Sequence, residues 1–306
     1  MPEQKIAVEV DGRRLTLSNL DKVLYPAEGF TKREVLDYYR RVAPAILPHL
    51  AGRASTFLRY PDGVDGQQFY EKDVSRHAPD WVRTARLVNS GSRGGSEVNH
   101  HPVIADLPTL IWAANLAALE LHVPQWTVGS RGARHNPDRL VFDLDPGPPA
   151  TVVECCRVAD RLREVLAEDG LTAYPKTSGS KGLQVYCAVR TRQPERTSEY
   201  ARAVAESLAS ESPGEVVARM TKAVRPGKVF IDWSQNNPAK TTVAPYSLRG
   251  REHPTVSTPV TWAEVRNCTS VADLTFTAAE VPDRVDRLGD LFGGLTGQRM
   301  TLPRSR

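Results

Sequence analysis

The clearest chemical signal in this chain of 306 residues is a pair of aspartates near its middle. Asp143 and Asp145 stand two residues apart in the apolar run RLVFDLD, which a Pro-Gly pair follows. If the run is a β-strand, both carboxylates project from one face, with Cα atoms about 7 Å apart. Two adjacent carboxylates repel each other unless a cation lies between them. The spacing therefore indicates a divalent metal site, with a solvated strand end as the alternative.

A third aspartate strengthens the metal hypothesis. Asp232 lies in VFIDW, where every other residue is apolar, and a buried lone carboxylate needs a partner. Three aspartates on two strands can hold a pair of Mg²⁺ or Mn²⁺ ions. Such a pair serves phosphoryl and nucleotidyl transfer, because one ion activates the attacking oxygen and the other neutralises the leaving phosphates.

A segment rich in Gly and Ser, TSGSKG at 177–182, lies between two predicted strands. Its small residues would let backbone N–H groups face an anion, and Lys181 adds positive charge. The spacing differs from a Walker A loop, so an ordinary hairpin turn is the alternative. His122, in LHVPQW, lies at a predicted helix-to-strand junction, where a structural role is the simpler interpretation.

The distribution of charge favours a polyanionic ligand. The chain carries a net charge of +4, yet residues 219–252 alone contain seven basic residues and two acidic ones. A local positive patch of this kind is typical of a nucleic-acid or nucleotide site, with a solvated basic face as the alternative.

The elements that must position these residues predict an α/β fold. A capping box from Thr31 to Glu34 opens a helix at 31–50. Apolar patterning predicts further helices at 106–121, 152–169, 197–208, 262–266 and 278–291. It predicts strands at 56–60, 68–74, 122–128, 139–145, 171–176, 183–189 and 228–233. We expect one domain over 1–297, with lobes at 1–135 and 136–297, and a disordered tail at 298–306.

Composition excludes several classes of protein. Hydrophobic residues are 40% and charged residues 25%, as in globular proteins and unlike disordered ones. The sequence has neither a run of 18 apolar residues nor a secretory signal, and its four cysteines form no CxxC zinc motif. We therefore expect a reduced, cytoplasmic protein without a membrane partner.

Seven segments, in order, resemble the polymerase domain of bacterial DNA ligase D, the end-joining branch of the archaeo-eukaryotic primase superfamily. They are DKVLYP (21–26), FYEK (69–72), LHVPQW (121–126), RLVFDLDPG (139–147), TSGSKGLQVY (177–186), MTKAVRPGKVFIDWSQN (220–236) and KTTVAPYSLRGR (240–251). The resemblance implies a two-lobed catalytic domain whose central, mainly antiparallel sheets are flanked by helices.

The resemblance also implies roles for individual residues. Asp143, Asp145 and Asp232 would form the catalytic, metal-binding triad. The residues around the incoming nucleotide would be Asn19, His122, Ser178, Lys181, Arg225, Gln235 and Arg249. Lys22 and Lys32 would grip a DNA 5′-phosphate, and Phe69 and Tyr70 would stack on the template, although the family often has two phenylalanines there. The loop 88–98 matches one implicated in DNA-end synapsis, but it is longer and richer in Gly and Ser than expected.

The function implied by the resemblance is template-dependent gap filling in DNA repair, with two Mn²⁺ or Mg²⁺ ions and a preference for ribonucleoside triphosphates. Its partners would be gapped or broken DNA with a 5′-phosphate, together with Ku and a separate ligase, at the bacterial nucleoid. No K-x-D-G adenylation motif occurs, so no ligase activity is expected. Three alternatives stay open: gap filling or priming outside end joining, a DNA-end scaffold with dispensable catalysis, and a DxD glycosyltransferase.

Overall fold

A computed structural model of the chain describes residues 5–90, 96–129 and 131–303. Within these ranges the α-helices are α1 (Lys32–Leu50), α2 (Leu107–Asn115), α3 (Val152–Glu168), α4 (Arg196–Glu211), α5 (Trp262–Asn267) and α6 (Val281–Leu288). The strands of the first half are β1 (Lys5–Val10), β2 (Arg13–Ser18), β3 (Val23–Tyr25), β4 (Phe30–Thr31), β5 (Thr56–Arg59), β6 (Phe69–Glu71), β7 (Thr84–Ser90), β8 (Ser96–Pro102) and β9 (Ala118–Val123). The strands of the second half are β10 (Arg139–Pro146), β11 (Ala173–Thr177), β12 (Leu183–Arg190), β13 (Val216–Val217), β14 (Val229–Asp232), β15 (Thr242–Val243) and β16 (Met300–Thr301).

Two sheets carry the residues of interest. The six-stranded sheet has the order β11-β12-β10-β14-β13, with β16 beside β12, and the four-stranded sheet has the order β15-β9-β5-β6. Most neighbouring strands are antiparallel, with β13–β14 and β12–β16 as the parallel pairs in these sheets. The prediction of an α/β fold with mainly antiparallel sheets is confirmed.

The best predicted helices have strong local signals. The Thr31 hydroxyl accepts the N–H of Glu34, whose carboxylate accepts the N–H of Thr31, so α1 begins with the predicted capping box. The same reciprocal pair, between Thr151 and Glu154, opens α3. The apolar faces of these two helices lie in two separate hydrophobic cores, one against each sheet.

Part of the second half of the chain, beyond the lobe boundary predicted at residue 135, packs with the first half. Strand β15 adds to the edge of β9, and Ala244, Tyr246 and Leu248 pack in the same core as α1. The chain then returns toward β11, where the Thr177 N–H donates to the Thr258 carbonyl at 2.8 Å. Residues 242–260 therefore connect the two sheets.

The predicted helix at 106–121 is wrong beyond Asn115. Ala117 adopts a left-handed conformation with a φ of 56°, which ends the helical path, and β9 then pairs with β5. All but one residue of β9 are buried, so the strand shows no polar alternation. A short apolar run of this kind cannot be assigned to a helix or a strand by periodicity.

The tail also differs from its prediction of disorder, because β16 pairs with β12 at Met300 and Thr301. Residues 304–306 of that tail and residues 91–95 of the loop 88–98 lie outside the described ranges. The four cysteines are free and buried, as expected of a reduced protein. None of the helices in the described ranges is both long and apolar enough to cross a membrane.

Candidate active site

Three aspartates come together on one face of the six-stranded sheet. Asp143 in β10 is the antiparallel partner of Asp232 in β14, and Asp145 follows on the same face of β10. Asp232 is buried, Asp143 is half-buried and Asp145 is exposed. The pairing of β10 with β14 is what brings these carboxylates together.

Burial and mutual repulsion disfavour the ionised forms of Asp143 and Asp145. Burial, and then the negative charge of Asp145, raise the pKa of Asp143 well above its ordinary value, although a hydrogen bond from Gln184 opposes the shift. Burial and the charge of Asp232 likewise raise the pKa of Asp145. A divalent cation would relieve both the repulsion and the desolvation of the charged forms.

The carboxylates fit a hard divalent cation in charge and chemistry, but their side chains do not yet converge. Within the described ranges, no three His, Cys, Asp or Glu side chains are close enough to hold a metal ion. Asp232 accepts the Ser234 N–H at 3.0 Å and the Gln235 amide at 2.9 Å. Lys240 Nζ also lies 3.8 Å from Asp232 Oδ2. Local donors thus engage this carboxylate.

A buried glutamate connects two of the predicted nucleotide ligands. Glu120 Oε2 lies 2.8 Å from His122 Nε2, while its Oε1 lies 3.3 Å from Arg249 Nε and accepts the Gly250 N–H at 3.0 Å. Burial opposes ionisation of Glu120, but the His122 hydrogen bond and the Arg249 charge lower its pKa to about 2. His122 lies within β9, where it shares a face with Glu120, and not at the predicted helix-to-strand junction.

Arg249 also reaches the loop 178–182, which joins β11 to β12. Its Nη1 donates to the Ser178 carbonyl at 2.8 Å, so one guanidinium contacts both this loop and Glu120. Gly179 has a φ of +67°, and a Cβ there would lie 2.7 Å from the backbone carbon of Val256. Only glycine suits that position. His122, Ser178 and Arg249, which were predicted from distant motifs, are therefore brought together by tertiary structure.

Three backbone N–H groups of this loop are engaged within the loop itself. The N–H groups of Ser180 and Gly182 donate to Ser178 Oγ at 3.2 and 3.0 Å. The Ser178 N–H donates to the Gly182 carbonyl at 2.9 Å. Because these three amides are satisfied inside the loop, the exposed ammonium of Lys181 is its best candidate for contact with a phosphate.

Replacing Lys181 with alanine is expected to weaken nucleotide binding. The lysine would contribute a charge-assisted hydrogen bond worth ~1.5–3 kcal/mol, which corresponds to roughly 10–100-fold in affinity. The apparent affinity for a nucleoside triphosphate, measured during primer extension, checks this result. The exposed Lys5 in β1, outside the basic stretch 219–252, gives a matched Lys→Ala control. An unchanged affinity would restore the ordinary-turn interpretation of the loop.

Arg225 and Gln235 both lie beside the carboxylates. The Arg225 guanidinium stacks 3.6 Å from the ring centroid of Phe230, and its charge acts to lower the pKa of Asp145. The Arg225 carbonyl lies so close to Gly147 that a Cβ on that glycine would be 2.1 Å away. Gln235 donates to Asp232 instead of facing an open pocket.

Asn19 and Lys22 lie in the turn between β2 and β3, and Lys32 is the first residue of α1. Asn19 is exposed with a φ of 52°, and Lys22 Nζ pairs with Asp62 at 2.7 Å. Lys32 is only 5% exposed, and its Nζ donates to the Ser18 carbonyl at 2.6 Å. Across the described ranges, no hydrogen bond or ion pair connects Asn19 to the other predicted nucleotide ligands.

The two predicted stacking residues are exposed on the edge strand β6, with Phe69 at 43% and Tyr70 at 55%. Consecutive strand residues point to opposite faces, so the pair does not form one continuous platform. The Tyr70 ring lies 6.5 Å from the His122 ring, and its hydroxyl is 3.2 Å from that of Thr241. Tyr70 therefore faces the side of the four-stranded sheet that carries Glu120 and His122.

Glu120 is the main residue that the sequence interpretation missed. It is the only acidic residue in the apolar run ALELHV, which is the same signal that marked Asp232 in VFIDW. The misassigned helix at 106–121 hid this signal, because a single acid on a helix is usually solvated.

Comparison with known proteins places the chain in a family. The family model described as "LigD, primase-polymerase domain" matches residues 31–292. The chain is 45% identical over 283 residues to the multifunctional non-homologous end joining protein LigD of Mycolicibacterium smegmatis, covering 92% of this chain and 36% of that protein. It is 33% identical to the bifunctional LigD of Bacillus subtilis over 281 residues, which are 91% of this chain and 44% of that protein. The chain thus spans about a third of the mycobacterial relative and under half of the Bacillus one.

A solved structure shows the same similarity in three dimensions. The polymerase domain of Mycobacterium tuberculosis ligase D, determined in complex with DNA, superposes with a TM-score of 0.86 and 43% sequence identity. The match covers 92% of this chain and 98% of that one. The chain therefore belongs to the LigD primase-polymerase domain family and is a nucleotidyltransferase that needs a divalent metal.

Proposed function

We propose that this chain is a template-dependent repair polymerase that extends a DNA 3′ end across a short gap. The 3′-hydroxyl attacks the α-phosphate of a nucleoside triphosphate, and pyrophosphate leaves. The observation that carries the proposal is the pairing of Asp143 with Asp232 across two strands, with Asp145 beside them, in a member of this family. An intact triad argues against a scaffold in which catalysis is dispensable.

In this proposal, Asp143, Asp145 and Asp232 hold two divalent ions, with Mn²⁺ preferred. When bound, these ions supply activation of the attacking oxygen and neutralisation of the phosphate charge. Asp232 accepts hydrogen bonds from Ser234 and Gln235, and a carboxylate oxygen has two lone pairs, so Oδ2 would hold a cation without losing the Gln235 bond. A cation held there would relieve the mutual repulsion of the carboxylates.

The triphosphate is bound by the cationic side of the site. Arg249 and Lys181 supply positive charge, and Ser178 and His122 provide further polar contacts. Glu120 keeps Arg249 and His122 in place, because its two oxygens contact one of them each. Arg225 and Gln235 stand next to the carboxylates, and Asn19 would complete the nucleotide pocket from the turn between β2 and β3. We extend the proposal to a preference for ribonucleoside triphosphates.

The DNA substrate is proposed to be a gapped or broken duplex with a 5′-phosphate on its far side. Phe69 and Tyr70 are exposed aromatic rings suited to stacking on template bases. Lys32 is the first residue of α1, where the helix dipole favours an anion, and its N–H donates to the Lys22 carbonyl at 2.8 Å, so the two lysines are neighbours.

The pathway proposed is non-homologous end joining at the bacterial nucleoid, with Ku and a ligase as partners. The curated relatives are named for end joining, and this chain matches about a third of the mycobacterial one. Gap filling outside end joining would use the same site chemistry. The end-joining proposal predicts that Ku and unjoined DNA ends stimulate the enzyme, whereas gap filling outside end joining predicts no such stimulation.

Primer extension on a gapped duplex tests the proposed activity. We expect Mn²⁺-dependent addition that copies the template and proceeds faster with a ribonucleoside triphosphate than with its deoxy counterpart. The catalytic proposal fails if the protein binds gapped DNA but adds no nucleotide with either metal. Nucleotide addition that does not follow the template sequence would contradict the assignment of Phe69 and Tyr70 as residues that stack on template bases.

The 5′-phosphate gives a sharper prediction. Wild type should bind a gapped duplex more tightly when the downstream strand is 5′-phosphorylated, and Lys22→Ala with Lys32→Ala should abolish that difference. Lys22 must leave the exposed Asp62 to reach a phosphate, and such a pair contributes only about 0–1 kcal/mol. The measurement is the affinity for the two matched duplexes at one salt concentration.

Arg33→Ala is the matched control for the 5′-phosphate prediction, because Arg33 is an exposed cation in the same helical turn and pairs with Asp21 at 2.8 Å. The preference should persist in this variant. Lys22→Ala alone separates phosphate binding from the buried contact of Lys32 with Ser18. Equal wild-type affinities for the two duplexes would show that the protein does not anchor on a 5′-phosphate.

A further inference from the structure

A row of buried polar side chains ends on Asp143. Gln125 Nε2 lies 2.8 Å from Thr242 Oγ1, and the Thr242 oxygen lies 2.8 Å from the Tyr186 hydroxyl. Tyr186 is 3.2 Å from Gln184 Oε1, and Gln184 Nε2 donates to Asp143 Oδ1 at 3.0 Å. The four side chains that precede Asp143 are each at most 4% exposed.

The number of protons on each group determines which group donates and which accepts at each contact of this row. Gln184 Oε1 carries no proton, so Tyr186 must donate to it. The single Tyr186 proton is then used, so the Thr242 hydroxyl donates to Tyr186 and accepts from Gln125. With its oxygen engaged by Tyr186, the Gln184 amide must turn its N–H₂ group toward Asp143. A flipped amide would place its oxygen against the oxygen of the Asp143 carboxylate, where no proton is available between them when Asp143 is ionised.

The row also crosses between the two sheets. Thr242 belongs to β15 of the four-stranded sheet, and Gln125 follows β9. Tyr186, Gln184 and Asp143 belong to β12 and β10 of the six-stranded sheet. Gln184 and Asp143 are direct cross-strand partners, so their side chains share one face. The packing of one sheet against the other therefore places the Gln184 amide so that it donates to Asp143 Oδ1 and not to Oδ2.

Among the described residues, no hydrogen bond reaches Asp143 Oδ2. We propose that Gln184 is a positioning residue that holds Oδ1 and presents Oδ2 for metal binding, and that Tyr186, with Thr242 and Gln125, fixes the Gln184 amide. This inference rests on the proposed assignment of Asp143 as a metal ligand. Outer partners of metal ligands typically change metal affinity by about 10–100-fold when they are removed.

The test measures Mn²⁺ binding to the nucleotide-free protein by electron paramagnetic resonance, which does not depend on turnover. Gln184→Met keeps most of the side-chain volume and removes the donor, so we expect Mn²⁺ affinity to fall roughly tenfold or more. Tyr186→Phe frees the Gln184 amide to rotate, and we expect a fall of several-fold. Tyr174→Phe is the matched control, because Tyr174 is the cross-strand neighbour of Tyr186 in β11 and lies outside the row.

A double-mutant cycle separates positioning from general core damage. If Tyr186 acts on the metal only through Gln184, the double variant should bind Mn²⁺ no more weakly than Gln184→Met alone. Additive losses would overturn this order of action. Wild-type affinity in both single variants would overturn the whole inference, as would an equal loss in Tyr186→Phe and Tyr174→Phe.

Asp143→Asn and Thr242→Val separate failure of the metal site from failure of the positioning role. Asp143→Asn should lose Mn²⁺; if it binds like wild type, the proposed metal site itself fails. If Asp143→Asn loses Mn²⁺ while the Gln184 and Tyr186 variants do not, only the positioning role fails. Should Tyr186→Phe unfold, Thr242→Val removes the next link instead, and its unchanged Mn²⁺ affinity would contradict the proposed row. Thermal unfolding without metal checks that each variant is folded.

Discussion

Alanine at Asp143 or Asp145 is expected to abolish nucleotide addition while DNA binding persists. Each change removes a carboxylate from a cluster whose repulsion favours a divalent cation. Loss of a catalytic metal forfeits several kcal/mol of transition-state stabilisation, which corresponds to at least about 10³-fold in rate. The measurement is single-turnover primer extension in Mn²⁺, with DNA affinity determined in parallel.

The exposed Asp80 supplies the matched Asp→Ala control, which should extend primers at the wild-type rate. Removing Asp143 or Asp145 also lowers the negative charge, so DNA affinity should stay equal or rise. Extension within tenfold of wild type in either variant would contradict the assignment of these carboxylates to metal binding. Loss of DNA binding would instead indicate a structural role.

Alanine at Glu120 is expected to cost both stability and nucleotide affinity. The carboxylate is 2% exposed and contacts His122, Arg249 and the Gly250 N–H. Breaking a buried charge network of this kind costs about 3–5 kcal/mol, because the partners stay buried without compensation. Nucleotide affinity should fall by about tenfold, because Arg249 and His122 lose their common anchor. Denaturant unfolding and nucleotide titration provide the two measurements.

Two further variants interpret the Glu120 result. Glu120→Gln keeps the shape and an acceptor for the Gly250 N–H, so it should lose less stability than alanine while still weakening nucleotide binding. Glu199→Ala breaks an exposed pair with Arg196 and should change stability by less than about 1 kcal/mol. Wild-type nucleotide affinity in Glu120→Ala would show that the anchor is only structural.

The stabilising contribution of the ionised Glu120 carboxylate should also appear in the pH dependence of stability. The pKa of Glu120 is about 2 in the folded protein, below the ordinary value of 4.5. The unfolded chain therefore takes up a proton first as the pH falls, so the stabilisation is complete above pH 4.5 and disappears toward pH 2. The free-energy difference between wild type and Glu120→Gln should shrink over this window. A difference that stays constant would contradict the depressed pKa.

The features that the sequence determined by itself are local ones. The capping boxes at Thr31 and Thr151 define helix starts through contacts three residues apart. Alternation within RLVFDLD places Asp143 and Asp145 on one face, whatever lies beside the strand. Motif order was sufficient to identify the family, because FDLDPG, SGSKGL and VFIDWSQN are each short segments that keep their local form.

Tertiary structure alone decided the features that depend on partners distant in the sequence. Residues 118–123 are a strand because β5 and β15 pair with both of its edges, which no apolar pattern reveals. Arg249 meets Glu120 and Ser178 only because residues 242–260 run between the sheets. The Gln184 amide is oriented by Tyr186 and by Thr242, 58 residues further along the chain than Gln184. The orientation of an amide in such a network depends on which of its buried neighbours donate and which accept hydrogen bonds. Only the folded chain brings those neighbours together.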